Sequence, residues 1–194
     1  MASIEEVKKL REETGVSVSE CKKALEESKG DFDKAKELLR KKGVEIADKK
    51  SSRTAGSGII DSYIHPNSGV GVLIELRCET DFVAKSQDFK NLAHEICLQI
   101  AAMKPLFLSE NDIPEEFLNG EKNIYKEQAA NSGKPENILD QIVEGKLKKY
   151  KEQVSLLSQV WIKDDSKTIK DLINEYIAKL GENIVLKKFS RFEI

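Results

Sequence analysis

The stretch VGVLIELRCETDFVAKSQDF, residues 70–89, contains the change in local structure that decides the fold. Its first half alternates apolar and polar side chains, and the apolar face consists of Val70, Val72, Ile74, Leu76 and Cys78. This period of two predicts a β-strand with one buried and one solvated face. Thr80, Asp81 and Phe82 follow at the corner, before an apolar spacing that is typical of a helix.

An acid beside a large aromatic residue is an unusual choice at such a corner. Phe82 lies outside both apolar stripes, which leaves two interpretations of its ring. The ring packs into the core as a staple at the helix entry, or it is held in solvent as a probe for another protein. The local pattern alone favours the staple.

Regular patterns flank the corner on both sides. GIIDSYIH, residues 58–65, is a β-branched run separated from the central strand by PNSG, which predicts a hairpin. After the corner, an apolar stripe of helical period predicts an amphipathic helix that ends at Lys104-Pro105. The alternating run NIVLKKFSRFEI, residues 183–194, predicts a last strand. Together these patterns indicate an α+β fold with a small antiparallel three-stranded sheet.

Further helices are predicted between the hairpin and the last strand. PEEFLNGEKNIYKEQAA and PENILDQIVEGKLKKYKEQV begin at Pro114 and Pro135, and proline is favoured at the first helical position. Their wide polar faces predict a helical hairpin that projects from the core. Residues 155–165 lack a clear period, and Ser166 is predicted to cap a final helix that ends at Gly181.

Residues 1–43 have the pattern of three short helices with defined ends. Ser3 with Glu6 and Ser17 with Glu20 have capping-box spacing, and Asp31 is placed to cap a third helix. Glycines follow the helices at Gly15, Gly30 and Gly43. Helices of about ten residues are marginal alone, so these three must pack together as a module. Residues 44–57 lose the period and predict a linker, with a short helical start as an alternative for its first residues. Residues 58–194 are predicted to form an α+β core and dimerisation domain.

Composition limits the class of function. The 194 residues carry a net charge of −2 at pH 7, whereas proteins that bind nucleic acid through its phosphates usually have a positive excess. No apolar run approaches the roughly 20 residues of a membrane helix, and the acidic start differs from a secretory or transit signal. Three cysteines without paired spacing are typical of a reduced cytosolic protein. We therefore expect a cytoplasmic protein that binds neither membrane nor nucleic acid directly.

The motifs of enzymes and of nucleotide or metal sites are missing from the sequence. His65 and His94 are far apart and have no nucleophile motif beside them. Neither of the glycine-rich phosphate-binding motifs occurs. We therefore expect a protein that is not an enzyme and that needs neither cofactor nor metal.

Ordered motifs along nearly the whole chain resemble bacterial elongation factor Ts. VKKLREETGVSVSECKKAL and GDFDKAKELLRKKG resemble its N-terminal module, and CETDFVAK is similar to its most recognisable motif. AAMKP, SGKPENI, VEGKLKK, VSLLSQ, SKTIKDLI and the closing RFE follow in the order that the family shows. Each motif is weak alone, whereas the ordered set is specific.

The resemblance implies a guanine-nucleotide exchange factor. Such a factor binds the translational GTPase elongation factor Tu and expels GDP so that GTP can bind. The resemblance also implies that residues 1–43 dock on the GTPase, through positions that match Arg11, Val18 and Lys22.

Two more sets of contacts are implied by the resemblance. The family wedges an Asp-Phe pair beside the switch region and disturbs the magnesium site, and the matching motif here contains Thr80, Asp81, Phe82 and Val83. With this match, the probe interpretation of Phe82 is favoured over the staple. A hairpin turn and a helix also touch the GTPase in the family, at positions that match Val70, Gly71 and Gln99. Gln99 is a departure, because the family usually has a histidine there.

The single core copy implies an assembly of two chains. Long members of the family carry two copies of the core unit, whereas this chain has one hairpin and resembles the short members. A three-stranded sheet is small and leaves its edges open. We expect a homodimer in which one chain gives Asp81 and Phe82 to a GTPase and the other gives Gln99 and Val70. The tail strand and the hairpin edge are both candidates for the seam.

The alternative function uses the N-terminal module alone. Three short helices with Gly15-Val16 in the connecting loop are also similar to ubiquitin-associated domains, and this likeness implies a peptide-binding adaptor. A stand-alone adaptor of that kind would not need the long α+β remainder.

Overall fold

The elements follow one another in the predicted order of helices, hairpin, helices and strand. The computed structural model describes residues 2–130 and 136–194. Its first elements are helices α1 (Ile4–Thr14), α2 (Val18–Glu27) and α3 (Phe32–Lys50) and strands β1 (Ser57–Ile64) and β2 (Val70–Cys78). Next come helices α4 (Asp81–Lys85), α5 (Gln87–Met103), α6 (Glu115–Ala130) and α7 (Glu136–Val154). Strands β3 (Val160–Trp161) and β4 (Asp164–Thr168), helix α8 (Ile169–Leu180) and strand β5 (Val185–Glu193) follow.

The chain divides into two units. Unit 1 comprises Met1–Leu98 and Lys170–Ile194, and unit 2 comprises Gln99–Ile169. Unit 1 contains the N-terminal helices and a three-stranded sheet, and unit 2 contains α6, α7 and the short strands β3 and β4. Within the described ranges, no helix combines the length and the apolar character needed to cross a membrane.

The predicted three-helix module is confirmed in its core and in its capping residues, although Ser17 and Glu20 form only one of the two bonds of a capping box. The Ser3 hydroxyl accepts from Glu6 N–H (3.1 Å), and the Glu6 carboxylate accepts from Ser3 N–H (2.8 Å). Ser17 caps α2, and Asp31 caps α3. The buried side chains of the module are Val7, Leu10, Cys21, Ala24, Leu25, Ala35 and Leu39. Each short helix is therefore held by packing on the other two.

The prediction that the third helix ends at Gly43 is wrong. Helix α3 continues to Lys50, and Gly43 is buried within it. An added Cβ at residue 43 would lie 3.9 Å from the Asn174 carbonyl oxygen and 4.0 Å from Ala178 Cβ, both on α8. A Cβ at residue 43 would thus make only ordinary van der Waals contact with α8, and Gly43 lies inside a helix and not at its end. The division at residues 1–43, 44–57 and 58–194 stays a prediction.

Strand β2 is the middle strand of the antiparallel sheet, whose order is β1-β2-β5. The inward side chains of β2 are buried, as the alternation predicts: Val72, Ile74, Leu76 and Cys78. On the same side of the sheet, the Tyr63 ring meets His94 of α5 edge-on with centroids 6.0 Å apart. The stripe of α5 is also buried at Phe89, Leu92, Ala93, Ile96 and Cys97. Helix α5 therefore covers one face of the sheet, and the α+β class is confirmed.

The predicted helical hairpin is present in unit 2 as the packed pair α6 and α7. Lys146 Nζ donates to Gln128 Oε1 (3.0 Å) between the two helices. The Phe117 ring centroid lies 5.5 Å from that of Phe107 and 6.1 Å from that of Tyr150, which packs the base of the pair. Helix α6 begins directly after Pro114, whereas Pro135 lies outside the described residues.

Strands β3 and β4 form a two-stranded sheet that the sequence patterns did not predict. The prediction that Ser166 caps the last helix is wrong, because Ser166 lies within β4 and α8 begins at Ile169. The Ser166 hydroxyl and N–H both donate to Asp164 Oδ1, at 2.6 and 3.1 Å. Asp164, two residues earlier, therefore binds both hydrogen-bond donors of Ser166 within β4.

We expect Gly58→Ala to lower the free energy of unfolding by more than about 2 kcal/mol. Residue 58 has φ +154°, and an added Cβ would collide with the Leu76 carbonyl oxygen and lie 2.8 Å from Arg77 Cα. Urea denaturation followed by circular dichroism measures the change. Gly120→Ala in α6 is the control, because a Cβ there meets nothing within 4 Å. Alanine favours the helix, so this control should gain about 1 kcal/mol. Equal stability of Gly58→Ala and the wild type would contradict the close strand packing.

Candidate functional site

The corner after β2 holds Phe82 away from the core. Thr80 is the N-cap of α4, and its hydroxyl oxygen accepts a hydrogen bond from Val83 N–H (3.4 Å). Ala84 is 5% exposed, whereas Phe82 is 82% exposed. Side chains two positions apart on a helix point about 200° apart, so the burial of Ala84 turns Phe82 towards solvent. The ring is therefore not a core staple.

Asp81 places a charge beside this exposed ring. Its carboxylate accepts a hydrogen bond from Lys85 Nζ (2.7 Å), one helical turn later. The hydrogen bond and the charge of Lys85 lower the pKa of Asp81 below its ordinary value. The carboxylate is thus ionised at neutral pH, and the corner presents an anion and a hydrophobic ring together.

Residues from a distant part of the chain fix the backbone of the corner. Glu182 Oε2 accepts from the backbone N–H groups of Glu79 and Thr80, each at 3.0 Å, and Glu182 Oε1 accepts from the Thr80 hydroxyl at 2.6 Å. In return, Glu79 Oε1 accepts from the backbone N–H of Asn183 at 2.7 Å. We call Glu79, Thr80, Glu182 and Asn183 the corner clamp. Sequence reasoning missed Glu182, because 103 positions separate it from Glu79 and no local motif marks it.

The predicted docking residues lie on the surface of the N-terminal module. Val18 and Lys22 are one turn apart on α2 and share a face, and Val18 is 52% exposed although apolar. Lys22 is also exposed and lies 4.0 Å from the Glu26 carboxylate. Arg11 is exposed in the last turn of α1, before the left-handed cap residue Gly15. The module therefore offers a cationic and an apolar contact to a partner.

Val70 and Gly71 begin β2 beside the hairpin turn, and both are half-buried. Gly71 pairs with Ile64 on one side and with Phe192 on the other. An added Cβ at residue 71 would lie 3.1 Å from Ile64 Cδ1. The Ile64 side chain thus reaches over Gly71 on the outer face of the sheet, where Ile64 and Phe192 are 63% and 71% exposed.

Gln99 is buried in unit 2 and makes three hydrogen bonds through its side chain. Its Nε2 donates to Gln159 Oε1 (3.1 Å) and to the Val160 carbonyl oxygen (3.0 Å), and its Oε1 accepts from Ile162 N–H (2.9 Å). Gln159 continues the network by donating to the Met103 and Gln153 carbonyl oxygens. In this arrangement Gln99 holds the segment that forms β3. Its spacing of three from Ile96 places it on the buried stripe of α5, a signal that sequence reasoning missed.

Thr80, Asp81, Phe82 and Val83 lie together at α4, whereas the other predicted contacts lie on α1, α2, β2 and α5.

In the part of the chain that the structure describes, no group of three or more His, Cys, Asp or Glu residues could hold a metal ion. Burial raises the pKa of the Cys78 thiol to about 11 and that of Cys97 to about 12. These thiols are poor nucleophiles, because the thiolate is the reactive form. The predicted site residues are thus an exposed ring and carboxylate on α4, exposed side chains on α1 and α2, the start of β2 and the buried Gln99.

The fold and the site together define a class of protein that acts on a partner through surface contacts. The family model described as Elongation factor TS matches residues 4–194. Elongation factor Ts of Thermotoga petrophila is 55% identical over 192 residues, which cover 99% of this chain and 96% of the relative. That of Coprothermobacter proteolyticus is 55% identical over 188 residues, with 97% and 95% covered. That of Caldanaerobacter subterraneus subsp. tengcongensis is 52% identical over 193 residues, with 100% and 96% covered.

The chain belongs to the elongation factor Ts family. It has the family's role of nucleotide exchange on elongation factor Tu in translation elongation. The match continues far beyond the N-terminal module, which favours the exchange factor over a stand-alone adaptor.

We expect Gln99→Ala to lower the free energy of unfolding by about 2–4 kcal/mol, because buried polar partners lose their hydrogen bonds and a cavity remains. Trp161, the single tryptophan, is adjacent to Ile162, so its fluorescence during thermal denaturation reports on this region. Gln141→Ala on the solvent side of α7 is the control and should change stability by less than about 0.5 kcal/mol. A Gln99→Ala protein as stable as this control would contradict the structural role.

Proposed function

We propose that Asp81 and Phe82 form the exchange probe, which wedges beside the switch region and magnesium site of elongation factor Tu. The exposure of Phe82, at 82%, is the observation that carries this proposal. The ring extends from a corner whose backbone N–H groups are bound by a carboxylate, so it is held ready for a partner. A preorganised contact loses little conformational freedom on binding. The N-terminal module holds the GTPase through Arg11, Val18 and Lys22.

An estimate of binding free energies shows how much Phe82 can contribute to the weakening of GDP binding. An exchange factor must bind the nucleotide-free GTPase more tightly than the GDP form, and by linkage it weakens GDP binding by the same ratio. A thousandfold weakening corresponds to about 4 kcal/mol. Full burial of a phenylalanine contributes roughly 1.5–3 kcal/mol. Phe82 therefore supplies a large part of the difference, and Asp81 and the contacts of the flanking Thr80 and Val83 supply more.

The second set of contacts comes from Val70, Gly71 and the region around Gln99. A fully buried Gln99 touches a GTPase only if its three hydrogen bonds open. We therefore assign its effect to the segment that it holds, in which Val160 and Ile162 are 47% and 42% exposed. In this proposal Val160 and Ile162 contact the GTPase through their apolar side chains, and Gln99 itself does not touch it.

All of these roles are contacts between proteins, and none is a chemical step. We propose that the chain is not an enzyme, needs no cofactor and does not bind nucleic acid directly. The net charge of −2 supports the last point. Since elongation takes place on cytoplasmic ribosomes in bacteria, we also propose a cytoplasmic location.

Phe82→Ala is expected to fold as the wild type does and to release GDP at least about tenfold more slowly at saturating concentration. The measurement is stopped-flow release of a fluorescent GDP analogue from elongation factor Tu. Ile138→Ala is the control, because Ile138 is also an exposed apolar residue, at 41%, and lies on α7, outside every proposed contact with the GTPase. A loss of several kcal/mol in stability, or exchange as fast as that of the control, would rule out the probe role.

The outer face of the three-stranded sheet is the proposed seam of a homodimer. Four apolar side chains on this face are 61%, 63%, 47% and 71% exposed: Ile60, Ile64, Leu73 and Phe192. They occupy neighbouring rows, because Ile64, Gly71 and Phe192 pair across the sheet and Leu73 lies in the next row. An exposed apolar patch of this kind is typical of an association surface. Val70 faces the other side of the sheet, so with this seam the start of β2 contacts a GTPase through Val70, while Gly71 lies in the seam beside Ile64 and Phe192.

Leu73→Glu is expected to convert the proposed dimer to monomers at micromolar concentration, because a charge would enter the centre of the seam. Light scattering coupled to size-exclusion chromatography measures the mass. Ile138→Glu on α7 is the matched control, because Ile138 is an apolar residue of similar exposure, 41%, outside this face. A wild-type chain that is monomeric, or a Leu73→Glu variant that stays dimeric, would exclude this seam.

A further inference from the structure

The corner clamp concentrates hydrogen bonds on one carboxylate. Glu182 accepts three of them, and two come from Thr80, the residue directly before Asp81 and Phe82. We propose that Glu182 is a positioning residue for nucleotide exchange, which fixes Thr80 and through it the direction of the Phe82 ring. This inference rests on the proposed function of Phe82 as the probe.

The location of the donors explains why a carboxylate is needed. Strand β2 ends at Cys78 and α4 begins at Asp81, so the N–H groups of Glu79 and Thr80 lie between a ladder and a helix. Neither element supplies a carbonyl acceptor for them, and both N–H groups bind Glu182 instead. Hydrogen bonds to an ionised acceptor are stronger than neutral ones. The carboxylate therefore removes freedom at the two residues where the chain changes direction.

The Thr80 hydroxyl is fixed from two sides. Its proton is donated to Glu182 Oε1 (2.6 Å), and its oxygen accepts from Val83 N–H (3.4 Å). The same hydroxyl thus joins Glu182 to the first turn of α4. Any rotation of α4 that swings Phe82 must break one of these two bonds.

Asn183, the residue after Glu182, connects the corner to the end of the docking module through hydrogen bonds. Asn183 is 3% exposed, and its Nδ2 donates to the carbonyl oxygens of Arg53 (2.8 Å) and Ser51 (3.4 Å), just after α3. Arg53 in turn lies 3.6 Å from the Glu79 carboxylate. Adjacent residues 182 and 183 therefore hold both the probe corner and the end of the last helix of the module.

Glu182→Ala is expected to lower the maximal rate of GDP release about tenfold, because a displaced probe loses transition-state contacts. Release of a fluorescent GDP analogue from elongation factor Tu, at increasing concentrations of the full chain, separates this rate from the half-saturating concentration. The latter should stay within about twofold, because the docking residues are intact. Glu182→Gln keeps the length and one oxygen acceptor but loses the charge and the second acceptor, so its rate should fall between those of the wild type and Glu182→Ala.

Asp112→Ala is the matched control for the loss of a capping carboxylate. Asp112 Oδ2 accepts from the Ser109 N–H (2.9 Å) and hydroxyl (2.7 Å), the same two donor types that Glu182 binds, but in unit 2. Its exchange rate should match that of the wild type. A rate as low as that of Glu182→Ala would mean that general destabilisation explains the loss, and would overturn the positioning role.

A double variant separates positioning from an independent effect. If Glu182 acts through the ring, adding Glu182→Ala to Phe82→Ala produces no further loss. Multiplied losses in the double variant, or a wild-type rate for Glu182→Ala beside an impaired Phe82→Ala, would overturn the positioning role and leave the probe intact. A wild-type rate for Phe82→Ala would instead remove the proposed function, and the positioning role with it.

Amide hydrogen exchange tests the clamp itself. In Glu182→Ala the N–H groups of Glu79 and Thr80 should exchange at least about tenfold faster than in the wild type. The N–H of Ile74 in the central strand serves as the internal reference and should be unchanged. Equal protection at residues 79 and 80 in both proteins would show that the carboxylate does not hold the corner, and would overturn the proposal.

Discussion

The site depends on one constraint, which is that β2 must end at Cys78 and the chain must turn into α4 with its backbone N–H groups bonded. Buried unpaired N–H groups are costly, and exposed ones leave a corner mobile. Glu182 satisfies the constraint at residues 79 and 80, and the Thr80 hydroxyl satisfies it at Val83. With these bonds made, Ala84 faces the core and Phe82 can face only solvent. The exposure of the ring follows from how the corner is built.

A single exposed aromatic side chain is common in proteins and has no special meaning alone. What distinguishes Phe82 is that a hydrophobic ring lies on a fixed backbone beside an ionised Asp81. A mobile ring would adapt to the GDP-bound and nucleotide-free GTPase alike, and equal binding of both states shifts no equilibrium. A ring in one fixed direction binds best to the one state that has room for it. In the proposed role of Phe82, rigidity at the corner is therefore a physical basis for preferring one state of the GTPase.

Local sequence patterns predicted the helices, strands and caps that neighbouring residues determine. They failed where contacts between distant segments of the chain determine the structure. The alternation of β2, the caps at Ser3, Ser17 and Asp31 and the stripe of α5 were predictable, because neighbours in sequence determine them. Gly43 was misread as a helix end, because a glycine after a helical pattern is a common stop signal, whereas α3 continues to Lys50. The Glu182 contacts were missed, because 103 positions separate Glu182 from Glu79 and no local motif marks it. Gln99 is the exception, since its helical spacing from Ile96 indicated burial and only the resemblance favoured a surface role.

The continuation of α3 to Lys50 changes how the docking module and the probe work together. A flexible linker over residues 44–57 would let the module bind without placing the probe, and the second contact would then depend on an effective concentration. Instead, Arg40 binds Asp171 at 2.9 Å, Lys50 donates to the Gly181 carbonyl oxygen at 2.6 Å, and Asn183 holds the backbone after the helix. Each of these contacts joins α3, or the residues directly after it, to α8 or its exit, where Glu182 lies. Under the proposed docking of the module on a GTPase, these contacts would bring Phe82 to a defined place, so that binding energy gained at the module can act at the nucleotide site.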